Sequence, residues 1–377
     1  MIGRALFGAA AALTMVGVTA APALADSTRD QQWYLTDLKI AEAHKITKGA
    51  GVIVALIDSG VDPKHPDLAG ALLPGLDTTE SNLAGREGTE DTDGHGTGMA
   101  GIIAGRGHGA GAGVLGIAPA AKILPIATGG TGFQSSSFMT KAVDFAIKQH
   151  AGVINMSFGG ADDDTVHDAI RKAQAADIVL VAAAGNDNSI GNTAGQYPGR
   201  YPEVLAVGAY GKDRKIASIS ITGPHVDLVA PGDQIMSTSI FDRGYEVSGG
   251  TSDATAMVSG AAALLRAKYP DMSAAEVVHR LTATADDAGP AGRDDTYGNG
   301  LLDVVKALTA DVAPLPAAGA SAAPSDDAAQ AAPPAASDSD DLPEPVGVLV
   351  PALIVAGVVL LIGVVVVVFM MRRRRSG

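Results

Sequence analysis

Between Gly51 and Leu308, continuous apolar runs alternate with amphipathic or alanine-rich stretches. The runs at 52–57, 123–126, 153–156, 178–184, 204–208 and 226–229 lack the in–out alternation of a half-exposed strand. They predict strands buried on both faces, as in a parallel sheet. Helices are predicted near 95–105, 138–150, 164–176, 252–268 and 273–284. Strand and helix alternating in this order predict an α/β fold, with a mostly parallel central sheet covered by helices on both faces.

The two ends break this pattern. Residues 1–25 carry Arg4, an apolar stretch and a small-x-small ending at Ala23-Leu24-Ala25, which reads as a secretory signal peptide. Residues 26–48 form an extension, polar and then helical in pattern, too short for a folded pro-domain. After the central domain, 49–312, the stretch 313–345 is rich in Ala, Pro, Ser and Asp and reads as an extended linker. Residues 346–371 hold no charge and are long enough for one transmembrane helix. The tail 372–377, with four arginines in succession, is then cytoplasmic by the positive-inside rule, which leaves the central domain outside. The expected localisation is the cell membrane, in a single-pass topology.

Charge and cysteine content narrow the possibilities. The 377 residues carry a formal net charge of −14. Setting aside Arg4 and the four tail arginines leaves 22 basic against 41 acidic residues, a charge of −19 outside the membrane. That argues against nucleic acid as a partner. There is no cysteine, so disulfides, a thiol nucleophile and cysteine-bound metals are excluded, and stability must come from packing.

Four segments carry candidate chemistry. Asp58 ends the apolar run 53–57, at the edge where crevices form in open α/β sheets. His95 lies in Asp93-Gly94-His95-Gly96-Thr97-Gly98 at the start of a helical stretch, where it suits the role of general base. Ser252 follows Gly249-Gly250-Thr251 at the head of a long helix, whose dipole favours developing negative charge. Asn186 follows a buried strand, placed to donate to an oxyanion. Singly, each has a plain structural reading: a strand-end turn acid, a helix cap, a loop former. Together, in the order Asp, His, Ser, they predict one nucleophilic site. His65 reads as structural, and His108 sits in a glycine loop. Asp62, Asp91 and Asp93 are weaker candidates in polar turn sequence. Gly111 to Gly116 fits GxGxxG but precedes a strand, so it is not a dinucleotide site.

These segments resemble the subtilisin-like serine proteases over roughly 33–308. The resemblance implies a three-layer subtilisin-like fold and a serine endopeptidase with Asp58, His95 and Ser252 as triad and Asn186 in the oxyanion hole. It also implies substrate binding by Ser157, Phe158 and Gly159 and by Ala183, Ala184 and Gly185, with a peptide adding a strand. The architecture, with signal peptide, Gln32-Trp33-Tyr34-Leu35, linker and single span, is similar to the mycosins, subtilases of type VII secretion. That likeness implies protein or peptide substrates and components of such a system as partners. The alternative is a structural component of the secretion complex whose proteolysis is dispensable. No cofactor or metal is expected: the loop 106–114 lacks the oxygen ligands of the family's calcium loop, although Asp67 matches one ligand position. Asp253 stands where the family more often has an apolar residue, which changes the electrostatics around the oxyanion.

Overall fold

The strands are β1 (Ile53–Asp58), β2 (Leu76–Asp77), β3 (Lys122–Ala127), β4 (Val153–Met156), β5 (Val179–Ala183), β6 (Leu205–Tyr210), β7 (Leu228–Pro231), β8 (Ile235–Thr238) and β9 (Tyr245–Ser248). The first seven form one parallel sheet in the order β2-β3-β1-β4-β5-β6-β7, and β8 and β9 pair antiparallel beside it. After β1 the chain moves first to β2 and β3 on one side and then to β4 on the other. Such a change of direction opens a crevice beyond the carboxyl ends of the strands. This computed structural model describes residues 27–79, 88–129, 135–186, 196–241 and 244–315. The chain divides into two units, Met1–Ala317 and Ala318–Gly377, and every described residue belongs to the first. The expected signal peptide, membrane helix and tail, and nearly all of the linker, lie outside the described residues. No helix among the described residues is long and apolar enough to cross a membrane.

The helices are α1 (Ser27–Gln31), α2 (Trp33–Asp37), α3 (Ile40–Ile46), α4 (His95–Ala104), α5 (Ser136–Lys148), α6 (Asp164–Ala175), α7 (Thr251–Lys268), α8 (Ala274–Ala283) and α9 (Val304–Thr309). Strand alternation assigns them to layers. Val54 and Leu56 of β1 share an apolar cluster with α2, α3, α4, α7, α8 and α9. Their neighbours Ala55 and Ile57 share another with α5 and α6. The sheet is therefore the middle of three layers, and both of its faces are apolar because both are covered.

Local chemistry sets where the helices begin. Asp163 caps α6 by accepting from the Thr165 and Val166 N–H groups, and Ser273 and Glu276 form a capping box on α8. On α6 the buried residues Val166, Ala169, Ile170 and Ala173 fall at helical spacing on one face. By contrast, α7 is buried along nearly its whole length, and its alanines and glycine let it run close against the sheet.

Elements differ from the sequence expectation mainly by a residue or two at their ends. The strand expected at 226–229 begins at Leu228, because Asp227 turns its carboxylate onto the Ala206 N–H (2.9 Å). The hairpin β8–β9 carries no sequence signal. Its strands span four residues each and are rich in hydroxyls, such as that of Thr238, which donates to the Thr97 carbonyl at 2.6 Å.

The N-terminal extension is tied to the domain. Gln32 exchanges side-chain hydrogen bonds with the N–H and carbonyl of Leu115 (2.9 Å each), and the Tyr34 hydroxyl donates to the Met236 carbonyl (2.8 Å). The indole N–H of Trp33 donates to the carbonyls of Asp233 (3.2 Å) and Gln234 (3.0 Å).

Candidate active site

Asp58 closes β1, and its buried side chain turns into the crevice. Its Oδ1 accepts from the Ser59 N–H (2.7 Å) and from His95 Nδ1–H (2.8 Å). A carboxylate only accepts, so this contact fixes the proton on Nδ1 and leaves Nε2 as the basic nitrogen. Burial lowers the affinity of the ring for a proton. The Asp58 carboxylate more than offsets this, with help from Asp253 and Asp93, and the imidazole is raised to about 9.

His95 opens α4 behind a tight loop that Asp91 organises. Asp91 Oδ1 accepts from the Ser59 hydroxyl (2.9 Å) and from the N–H groups of Asp93 (3.1 Å) and Gly94 (2.8 Å). Its Oδ2 accepts from the N–H (3.0 Å) and the hydroxyl (2.6 Å) of Thr97. The Ser59 hydroxyl in turn accepts from the Gly96 N–H (2.9 Å). One carboxylate thus joins the end of β1 to the first turn of α4. In sequence Asp91 is an ordinary polar-turn acid, since a turn aspartate shows nothing of a partner 32 residues away.

Ser252 is the second residue of α7. Neither Thr251 nor Ser252 caps the helix: the N-cap is Gly250, with no side-chain cap bond. Gly250 has φ +155°, which favours glycine, and a Cβ there would press on Asn186 Nδ2 at 3.1 Å. The Ser252 hydroxyl donates to the Ser157 carbonyl (3.0 Å), not to His95. Of the two links expected in the Asp–His–Ser row, the structure makes the first. Contacts of this kind between a nucleophile and its base are often long before the reacting complex forms.

Ser157 follows β4 and returns the contact, its hydroxyl donating to the Ser252 carbonyl (3.0 Å). Behind it Asn155, fully buried in β4, donates to the Ser157 hydroxyl and accepts from that of Ser259 (2.9 Å each). In sequence the one signal of Asn155 is a polar residue inside an apolar strand run. Phe158 packs into the cluster with α5 and α6, and Gly159 leads to Gly160, which bridges to Tyr197.

Asn186 stands just beyond β5. Its Oδ1 accepts from the Thr251 N–H (2.9 Å) and hydroxyl (3.0 Å), so the amino group is left as the outward donor. The Ser252 N–H belongs to the first turn of α7, where helix donors lack internal partners. Ala183 ends β5, and the carbonyls of Ala184 and Gly185 are held by His225 (3.1 Å) and the Ile221 N–H (3.0 Å). A cavity of about 280 Å³ beside Asp58 and His95 is lined by Ser59, Asp77, Glu90 and Asp93 among others. A larger one, about 690 Å³, lies between α6, β5 and α8, away from these residues.

His65 and His108 serve structural contacts. His65 donates to the Gly244 carbonyl (2.6 Å) and caps the turn that follows it. His108 donates to Asp67 Oδ1 (2.6 Å), and the Val114 N–H donates to Oδ2 (2.7 Å). A Cβ on Gly113, at φ +71°, would fall 2.2 Å from the same carboxylate. Asp67 is thus satisfied by its own chain, and its surroundings do not fit the calcium that the family implies. Among the described residues no group of three or more His, Asp or Glu is placed to hold a metal ion.

Known proteins share this sequence and fold. Residues 49–300 match the subtilase family model. Subtilisin DY of Bacillus licheniformis is 39% identical over 261 residues, 68% of this chain and 90% of that protein. Subtilisin E of Bacillus subtilis (strain 168) is 39% identical over 259 residues, and the match spans about two thirds of its length (65%). Among solved structures, MycP1 with its N-terminal propeptide removed is similar at 32% identity and TM-score 0.63, covering 74% of this chain and 97% of that one. MycP1 from the ESX-1 type VII secretion system is similar at 29% identity and TM-score 0.64, covering 75% and 86%. With a matching family model over most of its length and a parallel seven-stranded sheet beneath the crevice, the chain belongs to the subtilase family and is a serine endopeptidase.

Proposed function

We propose that Asp58, His95 and Ser252 form the catalytic triad and cleave peptide bonds through an acyl-enzyme. The observation that carries this reading is the 2.8 Å bond from His95 Nδ1 to Asp58, which leaves Nε2 basic. Rotation about χ1 takes the Ser252 hydroxyl from the Ser157 carbonyl to Nε2. His95 then accepts the proton as Ser252 Oγ attacks the scissile carbonyl. Asn186 Nδ2 and the Ser252 N–H hold the oxyanion. Asp58 steadies the imidazolium, which next protonates the leaving amine. A water activated by the same imidazole releases the acyl group. The segments Ser157-Phe158-Gly159 and Ala183-Ala184-Gly185 flank the crevice on β4 and β5 and bind the peptide.

In this reading the domain faces the outside of the cell membrane, held by 346–371, and processes proteins of a type VII secretion system. The apolar run with its arginine tail supports the anchor, and the likeness to MycP1 supports the system. The test is labelling of the purified chain by a fluorophosphonate. Wild type is labelled and Ser252→Ala is not; retained labelling of Ser252→Ala removes Ser252 as nucleophile. A second reading, a structural part of the secretion complex, is favoured by the linker and span. It prevails if Ser252→Ala supports secretion as well as wild type in a deletion strain.

A further inference from the structure

Resting on the serine-protease reading above, we infer that Asp253 is a positioning residue, a second carboxylate buried beside the nucleophile that holds the His95 imidazolium formed when Ser252 gives up its proton. An acid at the third position of a helix ordinarily faces solvent and complements the helix dipole. Asp253 does not face solvent. It is 2% exposed, and its Oδ1 accepts from the Ser248 hydroxyl of β9 at 2.8 Å. A donor from another element therefore fixes where this carboxylate points.

The surroundings say what it is held for. Glu246, two residues before Ser248 on β9, reaches α4 one turn beyond His95: its Oε1 would lie 3.6 Å from a Cβ on Gly98. From α2, Tyr34 faces Asp253 with a phenol that burial holds neutral, and its hydroxyl is already given to Met236. From α4 comes His95. The groups around Asp253 are thus a hydroxyl, a neutral phenol, a second acid and one imidazole able to become positive. Burial pushes the Asp253 carboxyl up to about 6, and Glu246 adds to this; the Ser248 hydroxyl and the attraction of His95 oppose it. The relation is mutual, since Asp253 stands after Asp58 among the charges that lift the imidazole. Asp58 grips the ring at Nδ1, while Asp253 acts on it from the helix that carries the nucleophile. Its negative charge also lies next to the Ser252 N–H and opposes the oxyanion. The plateau rate therefore mixes two effects, whereas the midpoint of the acid limb follows the imidazole as it titrates in the field of Asp253.

Removing an anion near an imidazolium makes the ring lose its proton at lower pH. The experiment is the second-order rate of fluorophosphonate labelling of the full chain in detergent, followed between pH 5 and 10. The expected result is that Asp253→Asn moves the midpoint of the acid limb down by about 0.5 pH unit or more, while Asp253→Glu, which keeps the charge, restores most of the shift. An unmoved midpoint in a folded Asp253→Asn chain overturns the inference, as does a Glu variant that shifts as far as Asn. If the Asn variant does not fold, Asp253→Ser takes its place and is read in the same way: a lowered midpoint supports the inference and an unmoved one overturns it. A wild-type chain that is unlabelled at every pH overturns the serine-protease reading and this inference with it; labelling with an unmoved limb overturns this inference only.

Discussion

At the scale of single residues, the candidate site is a set of groups whose partners decide their chemistry. Asn186 shows this best: with Oδ1 taken by Thr251, its amino group has one direction left. Asn186→Ala should lower kcat by about 10²–10³-fold, the range known for losing one such donor in a subtilisin, and change KM little. Steady-state kinetics on a peptide amide check this, and a loss confined to KM would remove Asn186 from the oxyanion hole. Two shifted groups also shape stability. His95 sits above its unfolded value, so its contribution is full below about pH 6.5 and fades as pH rises through 9, by about 3 kcal/mol at most. Asp253 is an acid shifted upward, so the cost of its burial grows as pH rises from about 4 to 6. Both make the fold weaker in alkali. In melts across pH, Asp253→Asn should gain on wild type between pH 4 and 6 and hold that lead to pH 7; a lead that does not change with pH would contradict this. The positions of Asp58, His95 and Asn186 at element ends were legible, because glycines beside apolar runs mark where strands and helices stop. Asn155, Asp91 and Ser248 were not, because their meaning lies in partners distant in sequence or in a hairpin without a pattern.

At the scale of elements, the entry to α4 is the most constrained feature. Asp91 satisfies donors just past β1, in the loop and in the helix, and so gathers the whole approach to His95. Asp91→Ala should cost about 1–3 kcal/mol of stability, by leaving buried donors without acceptors. It should also slow fluorophosphonate labelling at least about tenfold, since misplacement of a reacting group is costly. A melt and a labelling rate both matching wild type would show that the loop holds itself. The parallel strands were readable because burial on both faces writes a continuous apolar run. The hairpin β8–β9 was not, because its short strands mix hydroxyls with apolar residues and its pairing is set by packing against α4.

At the scale of the whole molecule, two apolar clusters on opposite faces of one sheet meet the demand that a chain without cysteine places on packing. What lies beyond Leu315 is a matter of sequence, and there the expectation is a single membrane span. The full chain should stay in the membrane pellet through an alkaline carbonate wash, and a chain ending at residue 345 should appear in the soluble fraction. Release of the full chain by carbonate would count against the anchor.

The indole of Trp33 meets carbonyls 200 and 201 residues further along. Closing so large a loop costs entropy before the contact returns anything, and topologies of this kind fold slowly. Synthesis must pass Met236 before the extension can seat, and Ser252 before the proposed nucleophile exists. On that reading a growing polypeptide has no cutting power until most of its domain has been made, and a half-finished chain cannot digest its neighbours.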